Sequence, residues 1–438
     1  MARERAAVNG GIARHGRLRR SSRVAAVLRI LAAVVAVAVV SSGSVAAIAT
    51  WQVLQGAKPA VTLALPGVRH EAVPTLTAQS GEVDMLLVAT DTRTGQGAGF
   101  TGAANQAASS GVGHNDTTIL VHISQDHTHM AVVSFPRDLM VPIPACTNDD
   151  GSVTPASSRA MLNTALSRGG ERHGLACVAG TISQLTGVPI SYAGMVTFDG
   201  VVRMADAVGG VQVCLATPIH DHNVSPAIDL PAGTRSLSGA QAAAFLRSRD
   251  GVGDGSDLAR ISNQQTFMSA LARQVVSAGT LTNPAKVLRL ADTAFRSMTL
   301  SDTLTDPRTL ARLALAVTTV GLSNMVFVQY PVVDDPEDPN RVDVATDPAG
   351  ILNAALRHDD PIALSAGSLG RSAVVDPNPP KAAAPTAPPS HAAGGPSKPA
   401  TAPSSGASTP SAPATTAQLP GSVSGQSAAT VTCAAGRD

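Results

Sequence analysis

The stretch that most limits how this chain can fold runs from Ser238 to Leu271, SGAQAAAFLRSRDGVGDGSDLARISNQQTFMSAL. Ser238 stands where an N-cap belongs, ahead of an alanine-rich run, so a helix is expected to begin there. Phe245, Arg247 and Arg249 then alternate with Leu246 and Ser248, a period of two that in a strand puts both guanidinium groups on one face. Two arginines side by side call for an anion. After the glycine-rich turn Gly251 to Gly255 a second helix opens, with an inward stripe of Asp257, Arg260, Ile261, Gln264, Met268 and Leu271 at steps of three and four. The far half of the stripe is apolar, whereas its first two turns carry an acid, a base and an amide. Unpaired on a core-facing side, each would cost about 1–3 kcal/mol, so all three need partners. Alone, the pattern fits a structural network or a binding site; the arginines just upstream favour a site.

Residues 1–29 hold eight arginines against one acid, Glu4, and the 22 residues from Ile30 to Trp51 carry no charge. At 1.5 Å per residue such a run can cross a hydrocarbon core. A transmembrane helix over 30–51 is therefore expected, with the basic segment 1–29 in the cytoplasm and everything after Trp51 outside. A cleaved signal peptide ending near Ala47-Ile48-Ala49 is the rival reading, and it too places the following domain outside the cell. Residues 52–82 read as a Pro/Ala/Thr-rich linker and 83–358 as the folded extracellular domain. From 359 to 438 the chain is mostly Pro, Ala, Ser, Thr and Gly. Such a segment buries too little apolar surface to offset its chain entropy, so a disordered tail is expected. A net charge of +1 provides no basic field, and no nucleic-acid partner is expected.

Within the domain, VDMLLVA at Val83–Ala89 is the nearly continuous apolar run of a buried strand. TILVHIS and Met130–Ser134 read as the next two strands, Pro284–Phe295 and Pro307–Val320 as amphipathic helices, and Met325–Tyr330 as another strand. This alternation predicts an α/β fold, a mixed central β-sheet sandwiched by helices. Polar clusters close three of the apolar runs or open them: Thr90-Asp91-Thr92-Arg93, His114-Asn115-Asp116-Thr117 and Phe135-Pro136-Arg137-Asp138. Strand ends are where α/β folds hold ligands. Gln96–Gly113, rich in Gly, Ala and Ser, reads as a surface insertion. There is no P-loop lysine motif and no G-x-S-x-G elbow, which removes nucleotide hydrolysis of that type and serine-hydrolase chemistry. The four cysteines have no C-x-x-C spacing. Cys146 with Cys177 is the expected disulfide; Cys214 reads as a buried thiol or as the partner of Cys433.

These segments together resemble the LytR-CpsA-Psr family, in its actinobacterial type. FLRSR followed by GDGSDLARISNQQ is similar to its signature, ATDTR to its G-S-D-x-R element, HNDTTILVHI to its R-S-D-T element and SFPRDLMVPIP to its S-x-P-R-D element. LNTALSRGG and the run Thr186–Leu215 also match, in the family's order. His114 and Asn115 stand where the family usually has Arg and Ser, and Met161 where a lysine often precedes Leu-Asn.

The resemblance implies a phosphotransferase that takes a glycopolymer from a polyprenyl-diphosphate carrier, attaches it to a peptidoglycan sugar hydroxyl and releases polyprenyl phosphate. It implies Mg2+ held by Asp91 and Asp116, and phosphates held by Arg137, Arg247, Arg249 and Arg260, with Arg93 adding to the positive charge of the site. Asp257 would orient an arginine or accept the hydroxyl proton, with Gln264 supporting that network, and an apolar tunnel between sheet and helices would take the lipid. The partners implied are the lipid-linked glycan, peptidoglycan and the membrane. The same residues could serve a lipid-diphosphate hydrolase, or a non-catalytic membrane-tethered protein that grips or regulates the wall.

Overall fold

The computed structural model describes residues 59–63, 73–77, 79–93, 109, 111–277, 284–376 and 416–437; the basic segment 1–29, the span 30–51 and most of the insertion lie outside them. Among the described residues no helix is long and apolar enough to cross a membrane.

The central sheet has seven strands. They are β1 (Val83–Thr90), β2 (Asn115–Ile123), β3 (Met130–Phe135), β4 (Tyr192–Val196), β7 (Met298–Leu300), β8 (Met325–Gln329) and β10 (Gly425–Ser427), in spatial order β7-β4-β1-β2-β3-β8-β10. The β1–β4 and β3–β8 pairs are parallel, and the others antiparallel, so the sheet is mixed as expected. On β2 and β3, Leu120, Ala131 and Val133 enter one apolar layer, while Ile119, Val121 and Val132 enter the other. Both faces are covered, which is why these strands read as unbroken apolar runs.

Helices α1 (Ala165–Thr186) and α7 (Thr346–His358) close the first layer through Val178, Ile182, Leu352 and Leu356. On the second layer lie α4 (Asp257–Ser277), α5 (Pro284–Ser297) and α6 (Pro307–Val320), with Met268, Phe295 and Leu313 against the sheet. Helix α6 starts as its sequence dictates: the Asp306 side chain accepts from the Arg308 N–H, and Pro307 occupies the first turn.

A smaller sheet packs against the other side of α4. Its strands β5 (Val211–Leu215), β6 (Gly233–Leu237), β9 (Ala373–Val375) and β11 (Thr432–Ala434) lie in the order β6-β5-β11-β9. With α2 (Phe198–Ala207), α3 (Gly239–Arg247) and α4 they enclose a third core that includes Val213, Phe245 and Phe267.

Three expectations are corrected. Residues 359–376 and 416–437 are folded rather than tail: β10 forms an edge of the central sheet, and β11 runs between β5 and β9 with Cys433 bonded to Cys214. Backbone pairing and that bridge hold the segment, so it needs little apolar side chain of its own. The linker 52–82 is packed in part, since Val61 and Leu76 are buried and the Val61 N–H donates to Leu300 O at 2.9 Å. Finally, the residues from Phe245 to Arg247 end helix α3 rather than forming a strand. Ser238 holds the N-cap position of that helix with no side-chain cap bond. The expected Cys146–Cys177 bridge is present.

Removing the bridge to the C-terminal segment should cost about 2–5 kcal/mol. Cys433→Ser is expected to lower the thermal midpoint of the oxidised protein and to expose residues 416–437 to proteolysis. An unchanged midpoint together with unchanged cleavage would show that the segment is held without it.

Candidate functional site

Helix α3 ends at Arg247, and Ser248 turns the chain to extended geometry (φ −58°, ψ 125°). Asp221, 3% exposed, fixes this turn: it accepts from Ser248 Oγ at 2.7 Å, from the Gly251 N–H at 3.2 Å and from the Asn223 N–H at 2.9 Å. Gly251 must lack a side chain, because a Cβ there would lie 2.6 Å from His220 O. The glycine-rich turn is also held from behind, with the Gly253 N–H donating to Ala435 O at 3.1 Å and the Arg437 N–H to Gly251 O at 3.0 Å.

The first turn of α4 meets the start of β2 and the end of β3 in a closed group of four charges. Arg137 Nη1 donates to Asp116 Oδ1 at 3.0 Å, and Arg260 Nη2 lies 2.7 Å from Asp257 Oδ1 and donates to the Asp116 carbonyl at 2.8 Å. Arg137 Nε lies 3.5 Å from Asp257 Oδ1, an ion-pair contact without hydrogen-bond alignment. Gln264, in the next turn, donates to Leu246 O at 3.0 Å and Thr117 Oγ1 at 3.3 Å, tying α4 to the end of α3 and to β2. Burial works against the Arg137 charge, but Asp116, Asp257 and Asp138 outweigh it and raise the guanidinium pKa.

Asp91, Arg93, Asp116, Arg137, Arg247, Arg249 and Arg260 line one pocket of about 680 Å3. That is the size of a small-molecule site. Asp257 and Gln264 stand behind it and position its wall. Phe198, Asp221, Asn223, Ser225 and Asp250 also line it, and sequence reasoning named none of them. Arg247 lies over the Phe198 ring at 4.4 Å and donates to the Ser225 carbonyl. Its Nε is buried with no hydrogen-bond partner among the described residues. Burial lowers the Arg247 pKa, and the Arg93 charge lowers it further.

Counted with Asp257, five acids face these five arginines, so the pocket is sorted by charge rather than uniformly positive. Asp116 and Asp257 are committed to Arg137 and Arg260, while at Arg247 the Arg93 charge acts against the guanidinium and the Asp116 carboxylate acts for it. Asp91 Oδ1 accepts from the His114 N–H at 2.7 Å and Ser109 Oγ at 2.8 Å, and among the described residues Oδ2 has only the distant His114 ring, at 3.8 Å. Gly113, at φ +72°, lets this loop approach, since a Cβ would lie 2.6 Å from Asp91 Oδ1. Asp91 Oδ2 thus presents a hard oxygen donor in a polar pocket, which fits Mg2+ held by one carboxylate with its other positions left for phosphate and water, whereas Asp116 would have to release Arg137 to become a second ligand. The departures at His114 and Asn115 differ in weight: Asn115 is fully buried and bonds Leu162 O and the Leu166 N–H, while His114 faces Asp91.

Residues 53–348 match the LytR_cpsA_psr family. The cell wall biosynthesis protein LcpA of Corynebacterium glutamicum is 33% identical over 245 residues, 51% of this chain and 46% of that protein. The polyisoprenyl-teichoic acid–peptidoglycan teichoic acid transferase TagU of Enterococcus faecalis is 25% identical over 179 residues, 40% of this chain and 52% of that protein. The chain therefore spans about half the length of these relatives. A solved Streptococcus agalactiae protein superposes with a TM-score of 0.50 at 19% identity, covering 64% of this chain and 87% of that one, and shares the fold. With the match covering more than half of its length, this chain belongs to the LytR-CpsA-Psr family.

Proposed function

We propose that the protein transfers a phosphate-linked glycopolymer from a polyprenyl-diphosphate carrier to a sugar hydroxyl of peptidoglycan. The observation that carries this reading is Arg247: its Nε is buried and unpartnered, and it shares the pocket with the like charge of Arg93. A bound anion gives the Arg247 Nε an acceptor, and charge-assisted hydrogen bonds to it contribute about 1.5–3 kcal/mol each. The transferase name carried by the Enterococcus relative supports a glycopolymer as the cargo.

In this reading the sugar hydroxyl attacks the phosphorus nearer the glycan. A new P–O bond forms, the bond to the bridging oxygen breaks, and polyprenyl phosphate leaves with the bonding electrons. Arg93, Arg247 and Arg249 hold the phosphate oxygens and stabilise the charge that builds on them. Asp257, 11% exposed and committed to Arg260 and Arg137, orients guanidinium groups rather than taking the proton. The hydroxyl proton goes to Asp250, at 40% the most exposed of the pocket carboxylates in ion-pair contacts. Mg2+ bound by Asp91 and Asp116 would neutralise diphosphate charge. A membrane span at 30–51 with the domain outside would place this pocket beside both the lipid carrier and the wall.

Full-length protein supplied with polyprenyl-diphosphate-linked glycan, peptidoglycan and Mg2+ should yield glycan-bearing peptidoglycan and polyprenyl phosphate. Arg249→Ala, and Arg247→Lys, which loses the planar fork and its stacking on Phe198, should each lower turnover by about 100- to 1,000-fold while the thermal midpoint stays unchanged. Free phosphorylated glycan without wall attachment would instead establish hydrolysis, and polymer binding without turnover a gripping role.

Chelation should abolish the transfer, and Mg2+ alone should restore it. Asp91→Asn should need far higher Mg2+ for the same rate. Full transfer in chelator would overturn the assignment of Asp91 and Asp116.

A further inference from the structure

The end of the sheet opposite the pocket carries a second cluster that the transfer does not use. His122, on β2, is 1% exposed; its Nδ1 lies 2.8 Å from Asp84 Oδ1 on β1, and its Nε2 lies 3.1 Å from Asp359 Oδ1. Asp359 caps α7 in the left-handed region (φ 56°) and its Oδ2 accepts from the Gln125 N–H at 2.9 Å. His129, just before β3, directs Nε2 at the same Asp359 Oδ1 from 3.6 Å.

The tautomer of His129 follows from its neighbours. Thr128 has one hydroxyl proton, and Oγ1 donates it to Asp126 Oδ1 at 2.7 Å. Thr128 Oγ1 must therefore accept from His129 Nδ1, 3.2 Å away. The His129 proton is then on Nδ1, and Nε2 carries the lone pair. That nitrogen is buried with no hydrogen-bond partner among the described residues. A proton on His122 can join Asp84 to Asp359, but it leaves the His129 lone pair facing a carboxylate with nothing between them. A cation at that point removes the repulsion.

We propose that His122 Nε2, His129 Nε2 and Asp359 Oδ1 bind a divalent first-row transition cation, Zn2+ by the character of its donors, with Asp84 holding His122 Nδ1; the ion displaces to solvent the proton that His122 Nε2 otherwise shares with Asp359. Two imidazoles and a carboxylate are donors zinc commonly takes, and at ligand bonds of about 2.0–2.2 Å tetrahedral donor atoms lie about 3.3–3.5 Å apart. Here the two carboxylate–imidazole separations are 3.1 and 3.6 Å, and all three donor atoms lie within 4.8 Å of one another. Asp84 supplies the outer carboxylate that fixes the tautomer of a metal-bound histidine. No free cysteine competes for the ion, because both cysteine pairs are bridged. Asp359 is 29% exposed, so the fourth position opens toward water. The bound ion cross-links β2, the approach to β3 and the end of α7, with β1 joined to it through Asp84 and His122, and binding only the folded chain, it stabilises that chain.

The test uses the full-length protein, stripped with chelator and then titrated with ZnCl2, with CoCl2 as a spectroscopic probe in parallel. One zinc per chain, a rise in thermal midpoint and the visible absorption bands of four- or five-coordinate Co2+ are expected. His129→Gln, which removes a nitrogen that holds no hydrogen bond, should weaken zinc binding at least tenfold and abolish the cobalt bands. Asp84→Asn should weaken binding about 10- to 100-fold. Asp91→Asn should leave it unchanged. Wild-type protein that retains no zinc overturns the proposal, as does His129→Gln binding zinc with wild-type affinity. Loss of zinc in Asp91→Asn but not in His129→Gln also overturns it, by placing the ion in the pocket. The cobalt spectrum reads coordination directly, so a variant of lowered stability still decides the question.

Discussion

The group of Asp116, Arg137, Asp257 and Arg260 joins three elements that the chain supplies far apart: the start of β2, the loop after β3 and the first turn of α4. Arg260 is only 5% exposed, and a charge so placed persists only if it is paired and hydrogen-bonded. The two acids and two bases compensate one another within the group. Both guanidinium groups are therefore set before any ligand arrives, and the pocket wall that Asp116, Arg137 and Arg260 form keeps its shape. The helix α4 must then carry polar side chains deep in the fold, and it does: Ser262, Asn263, Gln265, Thr266 and Ser269 are buried. It can do so because it lies between two sheets and its neighbours offer backbone acceptors, as where Asn263 Nδ2 donates to Phe245 O at 2.8 Å.

Much of this was legible because it is local. The strands β1, β2 and β3 are buried on both faces, so each announces itself as an apolar run, and α6 carries its own cap and proline. The charges at the strand ends and on the inward face of α4 are equally visible, since polar residues there need partners. What was not legible is non-local. Asp221 has no neighbouring signal, and it matters only because Ser248 and Gly251, some thirty residues on, bring donors to it. Phe198 reads as an ordinary first residue of a helix until Arg247 is found over its ring. The period of two at Phe245, Arg247 and Arg249 misled as to secondary structure. Both arginines still reach the pocket, because α3 ends at the first of them and Ser248 is extended.

The C-terminal segment failed for a more instructive reason. Its small residues are the composition of a disordered tail, and they are also what close backbone packing requires. A Cβ on Gly425 would lie 2.6 Å from Phe327 O, and one on Gly436 would lie 1.8 Å from Pro218 O, well inside contact distance. The segment therefore docks because it lacks side chains, with its partners supplied by β5, β8, β9 and the glycine-rich turn. Composition measures how much apolar surface a segment can bury. It does not measure how well its backbone can complete a sheet that already exists.

The two charged clusters sit at opposite ends of the same three strands. Asp84 and Asp91 are seven residues apart along β1 and its extension, which at about 3.4 Å per residue is roughly 24 Å. That is about three Debye lengths at physiological ionic strength, so neither cluster sets the other's charge state through the solvent. Any influence of the histidine end on the arginine pocket must pass through the rigidity of β1, β2 and β3, which both ends share. A sheet packed on both faces transmits a change in stability without a change in shape. The far cluster thus bears on how long the pocket stays assembled, and the pocket's own residues on what it holds.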